Sequence, residues 1–343
     1  MTAVQSRPKI LGIGYPRFAV KEWQALAERY EIQYFVPGER TQVVDEVKRL
    51  CKEHGPFQSA YVLFGTAAYS PFHRDMLGPL FDVPGHCGLL AQGGAGYDDV
   101  DHLWLASNGC YLSNTPHAVT EATADMGILL MLAAIRGLYE SEVNVRAGKW
   151  RQGIELTDDP TSMTVGFLGL GSIGKSMARK TKPWDMKVIY HNRRPISAEE
   201  ESALGASYVS FEQLIATSDV LSVNCPLTPE TRGILDDAAF AKMKDGIYII
   251  NTARGAVIDE PALIRALESG KVARAGLDVL STEPCRESPL YSMKNVTIQP
   301  HLGAFTKGTI LRGERDVFAN VKQYMEQGVP VNPVNQPVKV AKA

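Results

Sequence analysis

Gly169-Leu170-Gly171-Ser172-Ile173-Gly174-Lys175-Ser176, GLGSIGKS, fits two phosphate-binding patterns at once. Read as G-x-G-x-x-G it is a dinucleotide-binding turn. Read as G-x-x-x-x-G-K-[ST] it is a Walker A loop for ATP or GTP. Both bring a helix N-terminus close to a phosphate, so the neighbouring sequence has to decide. A P-loop NTPase needs a later apolar strand ending in Asp to hold magnesium. The candidate strands end instead at Asn192, at Asn224 or Cys225, and at Asn251 or Thr252. A dinucleotide fold needs a second strand about 20 residues on, ending where the adenosine ribose sits. KVIYHNRR supplies it, with Asn192 placed 18 residues after Gly174 (192 − 174). The usual acid is missing there. Arg193 and Arg194 follow at once, and an Arg at this place can take a 2′-phosphate. The stretch therefore reads as a dinucleotide turn, with Lys175-Ser176 a chance match on the first turn of the helix.

The 343 residues suffice for two domains, each with its own core. Strand-like runs, among them KILGIG (9–14), AYVLFG (60–65), TVGFLGLG (164–171), KVIYHN (187–192), DVLSVNC (219–225) and GIYIINT (246–252), alternate with helical stretches. Such alternation predicts parallel sheets covered by helices. The run MGILLMLAAI predicts one long buried helix from Glu121 to about Arg146, in the core or at an inter-domain or inter-subunit position. Residues 148–160 read as a loop. The dinucleotide unit starts in mid-chain, so the residues before the long helix must form another α/β unit. The helical stretch RGERDVFANVKQYMEQG is expected to return to it.

Composition narrows the class. The chain is 45% hydrophobic and 22% charged, with a formal net charge of -2. That balance gives no reason to expect nucleic acid or an anionic membrane as partner. No apolar run reaches the roughly 20 residues of a membrane-spanning helix. MTAVQSRPKILGIG reads as a polar lead into a strand rather than a secretion signal, and the expected location is cytoplasmic. The five cysteines, Cys51, Cys87, Cys110, Cys225 and Cys285, are scattered and contain no C-x-x-C. They predict neither a disulfide framework nor a zinc site.

Three later stretches place polar groups after strands. NTARGAVID (251–259) puts Arg254 past a strand end, where open α/β sheets bind ligands and a guanidinium can clamp a carboxylate. AGLDVLSTEP (275–284) offers Asp278 and Glu283. VTIQPHLGAF (296–305) sets His301 just before Gly303. A histidine beside a carboxylate can move a proton near neutral pH. Singly, Arg254 is as readily a surface residue and His301 a solvated or capping one. Tyr15, Phe18, Tyr69 and Trp150 are candidates either for lining a substrate pocket or for ordinary packing.

In order along the chain, AGYDDVD, TEATAD, GLGSIG, CPLTPETRG, NTARG, AGLDV with EP, and PHLG give a resemblance to the D-isomer-specific 2-hydroxyacid dehydrogenases. It is strongest over residues 91–125 and 164–305, and closest to glyoxylate and hydroxypyruvate reductases. The resemblance implies an α/β fold of two Rossmann-like, doubly wound parallel-sheet domains with an active-site cleft between them. A flavodoxin-like substrate domain, 1–115 plus 306–343, would join a dinucleotide-binding domain, 116–305, usually in a homodimer. It implies an oxidoreductase that reduces a small 2-oxo acid to the D-2-hydroxy acid. Arg254 would bind carboxylate and carbonyl, His301 would be the acid/base, and Glu283 its partner. Main-chain N–H groups at Ala95 and Gly96 would hold the carboxylate. The coenzyme would be met by Thr120, by Gly169, Gly171, Ser172, Ile173 and Gly174, and by Asn192, Arg193 and Arg194. Further contacts fall on Cys225, Pro226, Thr231, Thr252, Ala253, Arg254, Asp278, His301 and Gly303. NADP(H) is expected to be preferred, with NAD(H) possible, and no metal is required. Glu283 argues against formate, since formate dehydrogenases carry Gln there, and the chain has no room for the regulatory domain of many phosphoglycerate dehydrogenases. Some members of the superfamily act instead as transcriptional corepressors, which leaves a nucleotide-sensing scaffold as the alternative.

Overall fold

The computed structural model describes residues 7–83 and 87–338. The chain divides into two compact units, 1–119 with 306–343, and 120–305.

In the first unit, β1 (Lys9–Ile13), β2 (Glu31–Phe35), β3 (Ser59–Val62), β4 (Leu89–Gln92) and β5 (Tyr111–Ser113) form a parallel sheet in the order β2-β1-β3-β4-β5. This is the flavodoxin-like order. Side chains alternate between the two faces of the strands, and both faces are covered. Leu11, Ile13, Ala60, Val62 and Leu90 pack with the helix Arg40–His54. Ile10, Tyr61, Leu63, Leu89 and Ala91 pack with Val317, Phe318 and Val321 of the helix Lys307–Gln327. The C-terminal helix thus belongs to the first unit. Its buried Glu314 accepts main-chain hydrogen bonds from Arg17 (2.7 Å), Phe18 (2.9 Å) and Ala19 (2.9 Å), at the start of the helix Val20–Arg29. The carboxylate satisfies three main-chain donors on the approach to a helix N-terminus, where a negative charge is favoured. Beyond the C-terminal helix, Val334 donates to the Leu112 carbonyl (2.7 Å), and the Asn335 side chain accepts from the Leu112 N–H (2.8 Å). This segment covers β5, which would otherwise be a bare sheet edge.

The second unit holds β6 (Thr164–Leu168), β7 (Lys187–His191), β8 (Ala206–Tyr208), β9 (Val220–Val223), β10 (Ile247–Asn251), β11 (Val272–Leu277) and β12 (Val296–Ile298). They form a parallel sheet in the order β12-β11-β10-β9-β6-β7-β8. Strand order reverses at β6, which is the topological switch point of a Rossmann sheet.

One sequence expectation fails. The helix expected over 121–146 is two helices, Thr120–Ile135 and Leu138–Arg146, whose axes differ by 67°. Gly137 separates them at φ 59°, a left-handed conformation that glycine adopts without steric cost. Hydrophobic periodicity cannot register such a break. Among the described residues no single helix is long and apolar enough to cross a membrane, and all five cysteines are free thiols.

Candidate active site

The turn after β6 needs its glycines. Gly169 sits at φ 96°, and a Cβ there would lie 2.6 Å from the Cys225 main-chain nitrogen. A Cβ on Gly174 would approach the Gly169 carbonyl to 2.7 Å, whereas one on Gly171 would meet nothing within 4 Å. Two glycines close the turn, and the third keeps its outer side open as the helix Ser172–Thr181 begins. The Leu170 N–H donates to the Asn192 side chain at 2.6 Å, tying the turn to the end of β7. Arg193 and Arg194 beyond it are exposed. The Walker-like residues are spent elsewhere. Lys175 pairs with Glu200, and buried Ser176 donates to Glu121 at 2.9 Å.

Cys225 is buried, and burial pushes its thiol up to about 11. Thr231 donates to the Pro226 carbonyl at 2.7 Å and folds the loop after β9. Thr120 opens the helix Thr120–Ile135. At the end of β10, buried Asn251 donates to the Arg254 carbonyl and accepts from the Ala253 N–H, both at 2.9 Å. This side chain sets the turn that carries Arg254, and sequence reading passed it over as a strand end. The Thr252 hydroxyl next to it is buried without a hydrogen-bond partner. An orphaned hydroxyl and the open side of Gly171, both at the carboxyl end of the sheet, fit a dinucleotide that supplies the missing contacts.

A polar cluster joins the segment after β11 to the one after β12. His301 Nδ1 lies 2.6 Å from Glu283 Oε2, and the Leu280 N–H donates to Glu283 Oε1 at 3.1 Å. An ionised carboxylate only accepts, so Nδ1 carries the proton and Nε2 is left for another partner. The bond to Glu283 is the main reason His301 is raised above the ordinary imidazole value, against burial and the nearby Arg254 charge. Burial pushes Glu283 up, but the His301 bond and charge outweigh it, and the carboxyl ends below its ordinary value. His301 has φ 55°, a left-handed conformation costing about 1–3 kcal/mol. Asp278 holds it. Its carboxylate, on a residue only 1% exposed, accepts from the N–H groups of Leu302 (2.7 Å) and Gly303 (2.8 Å), and the His301 N–H donates to its carbonyl (2.8 Å). Burial raises Asp278 more than these bonds lower it. Each of its oxygens accepts from one main-chain N–H of the loop under His301, and so shapes that loop.

In the first unit, Ala95 and Gly96 lie in the turn after β4, partly exposed. Tyr15 and Phe18 are 39% and 45% exposed. Tyr69 is core, packed edge-on to Phe72. Trp150 is 67% exposed on the second unit.

Residues 128–303 match the model of the D-isomer specific 2-hydroxyacid dehydrogenase, NAD binding domain. The chain belongs to the D-isomer-specific 2-hydroxyacid dehydrogenase family. Among relatives of this dehydrogenase, a Schizosaccharomyces pombe protein named as a 2-hydroxyacid dehydrogenase is 46% identical, over 97% of this chain and 98% of its own. The 4-methyl-2-oxopentanoate reductase A of Aspergillus oryzae is 41% identical, over 94% of this chain and 96% of its own. The crystal structure of a glyoxylate reductase from Paecilomyes thermophila superposes with a TM-score of 0.89 at 38% identity, covering 97% of this chain and 99% of that one.

Proposed function

We propose that this dehydrogenase reduces a 2-oxo acid to the D-2-hydroxy acid, with glyoxylate, hydroxypyruvate or a similar small acid as substrate. The His301–Glu283 pair carries the reading, because Glu283 occupies Nδ1 and leaves Nε2 available to carry a proton at the carboxyl end of a coenzyme-binding sheet. A reduced nicotinamide coenzyme, with its pyrophosphate at the glycine turn, would supply the hydride for C2 of the substrate. His301 hydrogen-bonds the carbonyl oxygen and gives it the Nε2 proton as the alkoxide forms. Glu283 stabilises the imidazolium beforehand and accepts from the neutral ring afterwards. The Arg254 guanidinium takes carboxylate and carbonyl in its planar fork and fixes the angle of attack. The turn at Ala95 and Gly96 takes the carboxylate through main-chain N–H groups. Asp278 acts on the reaction through the loop that presents His301.

NADPH is preferred over NADH in this proposal. Asn192 puts no negative charge beside a 2′-phosphate, and exposed Arg193 and Arg194 follow it. One charge-assisted bond from either is worth roughly 1.5–3 kcal/mol, or about tenfold and more in affinity. The enzyme acts as a homodimer in the cytoplasm. Free thiols suit a reducing compartment. Exposed Leu129, Leu138, Val145 and Leu156 on and after the two broken helices offer the apolar surface a second copy would bury.

The test is a panel of 2-oxo acids, from glyoxylate to 4-methyl-2-oxopentanoate, run with both reduced coenzymes on wild type and on the Arg193→Ala, Arg194→Ala double variant. Turnover with higher kcat/KM for NADPH, lost in the double variant, is expected. Coenzyme binding without turnover of any acid would favour the scaffold alternative.

A further inference from the structure

The turn after β4 raises a question of construction. Main-chain N–H groups bind an anion only if several face the same way, and nothing in a glycine-rich stretch, GGAG, enforces that. Residues from the end of β5 supply the constraint. The Gly94 N–H donates to Thr115 Oγ1 (2.8 Å), and the Thr115 N–H donates back to the Gly94 carbonyl (2.9 Å). Asn114 Nδ2 donates to the Ala95 carbonyl at 2.8 Å, and Gln92 Nε2 to the Gly96 carbonyl at 3.3 Å. Asn114, Thr115 and Gln92 are buried, at 8%, 0% and 4% exposure, so these bonds are sheltered from competing water.

A trans peptide unit points its carbonyl and its N–H in opposite directions. Fixing the Gly94 carbonyl on Thr115 therefore turns the Ala95 N–H away from the sheet end. Fixing the Ala95 carbonyl on Asn114 does the same for the Gly96 N–H. Gly94 makes this possible at φ 128°, which few side-chain-bearing residues adopt. The N–H groups of Gly93 and Gly94 are consumed internally. Among the described residues those of Ala95 and Gly96 have no partner in the chain. Two successive free N–H groups facing one side make an anion-binding nest.

We infer that Asn114 and Thr115 are positioning residues for the substrate carboxylate: they hold two carbonyls so that two N–H donors face the anion. The inference rests on the proposal that this turn binds the carboxylate. Because the carboxylate keeps its charge through the reaction, its anchors serve ground state and transition state alike. Damage to them raises KM and spares kcat.

The experiment uses two shape-conserving variants, Asn114→Asp and Thr115→Val, with Thr115→Ser as the conservative control and Ala95→Pro to delete one N–H. The readouts are kcat and KM for the preferred 2-oxo acid, inhibition by oxalate, and coenzyme affinity by fluorescence titration. Asn114→Asp cannot donate to the Ala95 carbonyl and adds a like charge, so KM and the oxalate inhibition constant should rise about tenfold or more. Thr115→Val keeps the main-chain N–H on the Gly94 carbonyl and loses only the Oγ1 that accepts from the Gly94 N–H, so it should follow in the same direction with a smaller rise, and Thr115→Ser should keep wild-type values. kcat and coenzyme affinity should stay near wild type in all three. Unchanged KM and oxalate inhibition in Asn114→Asp, or a loss confined to kcat, would overturn the positioning role. If Ala95→Pro raises the oxalate constant while Asn114→Asp does not, only the positioning role fails. If Ala95→Pro, with coenzyme affinity intact, leaves it unchanged, the carboxylate reading of the turn fails as well.

Discussion

Two loops of this molecule solve opposite problems with the same tools. In the coenzyme-binding unit, Asp278 grips the N–H groups of Leu302 and Gly303, and a titratable side chain, His301, is held on strained backbone. In the other unit, Asn114 and Thr115 grip carbonyls, and bare N–H groups are left outward. A carboxylate gathers donors in the first case; an amide and a main-chain N–H gather acceptors in the second. In the proposed mechanism the first loop presents a proton and the second a fixed partial positive charge. Damage to the first should therefore appear in kcat and in its pH dependence, and damage to the second in KM with no pH signature.

The largest effect should come from His301→Ala. General acid catalysis typically contributes about 10²–10⁴-fold, and kcat for the preferred 2-oxo acid should fall within that range while coenzyme affinity by fluorescence titration stays near wild type. A variant with near-normal kcat would remove the proton from this loop and end the contrast. Arg254→Lys comes next. The charge remains, but the planar fork that takes two oxygens is lost. The loss of a charge-assisted bond, roughly 1.5–3 kcal/mol, should lower kcat/KM for the acid by tenfold to a hundredfold. Steady-state kinetics identical to wild type would refute the clamp.

The two loops also differed in how far sequence revealed them. The Rossmann half was legible because GLGSIG, the apolar strand before it and KVIYHN after it are local signals set by backbone geometry. Arg254, Glu283 and His301 could be picked out as polar residues after strands, but only the fold brings Glu283 to His301 across 18 positions of chain. Asn114 and Asn251 carried no signal, because an asparagine closing a strand looks the same whether it caps a turn or orients a binding loop. The Gly137 break was invisible for a related reason: an apolar run reports burial, not the φ of the residue that ends it. The Tyr69 alternative was settled by packing against Phe72, a contact within one short turn that composition does not encode.

The pH dependence of kcat/KM for 2-oxo acid reduction, measured in wild type and Glu283→Gln, tests the His301–Glu283 pair most directly. In the proposed mechanism reduction needs His301 protonated, so activity should be full at low pH and fall as pH rises through the imidazole pKa. Glu283 raises that pKa in the folded enzyme, which places the wild-type alkaline limb above the ordinary histidine value of about 6.5. Glu283→Gln removes the main cause of the rise, so its limb should move to lower pH, with reduced activity at neutral pH. A limb at the same pH in both proteins, or no alkaline limb in the wild type, would contradict the assignment of the proton to His301 under the control of Glu283.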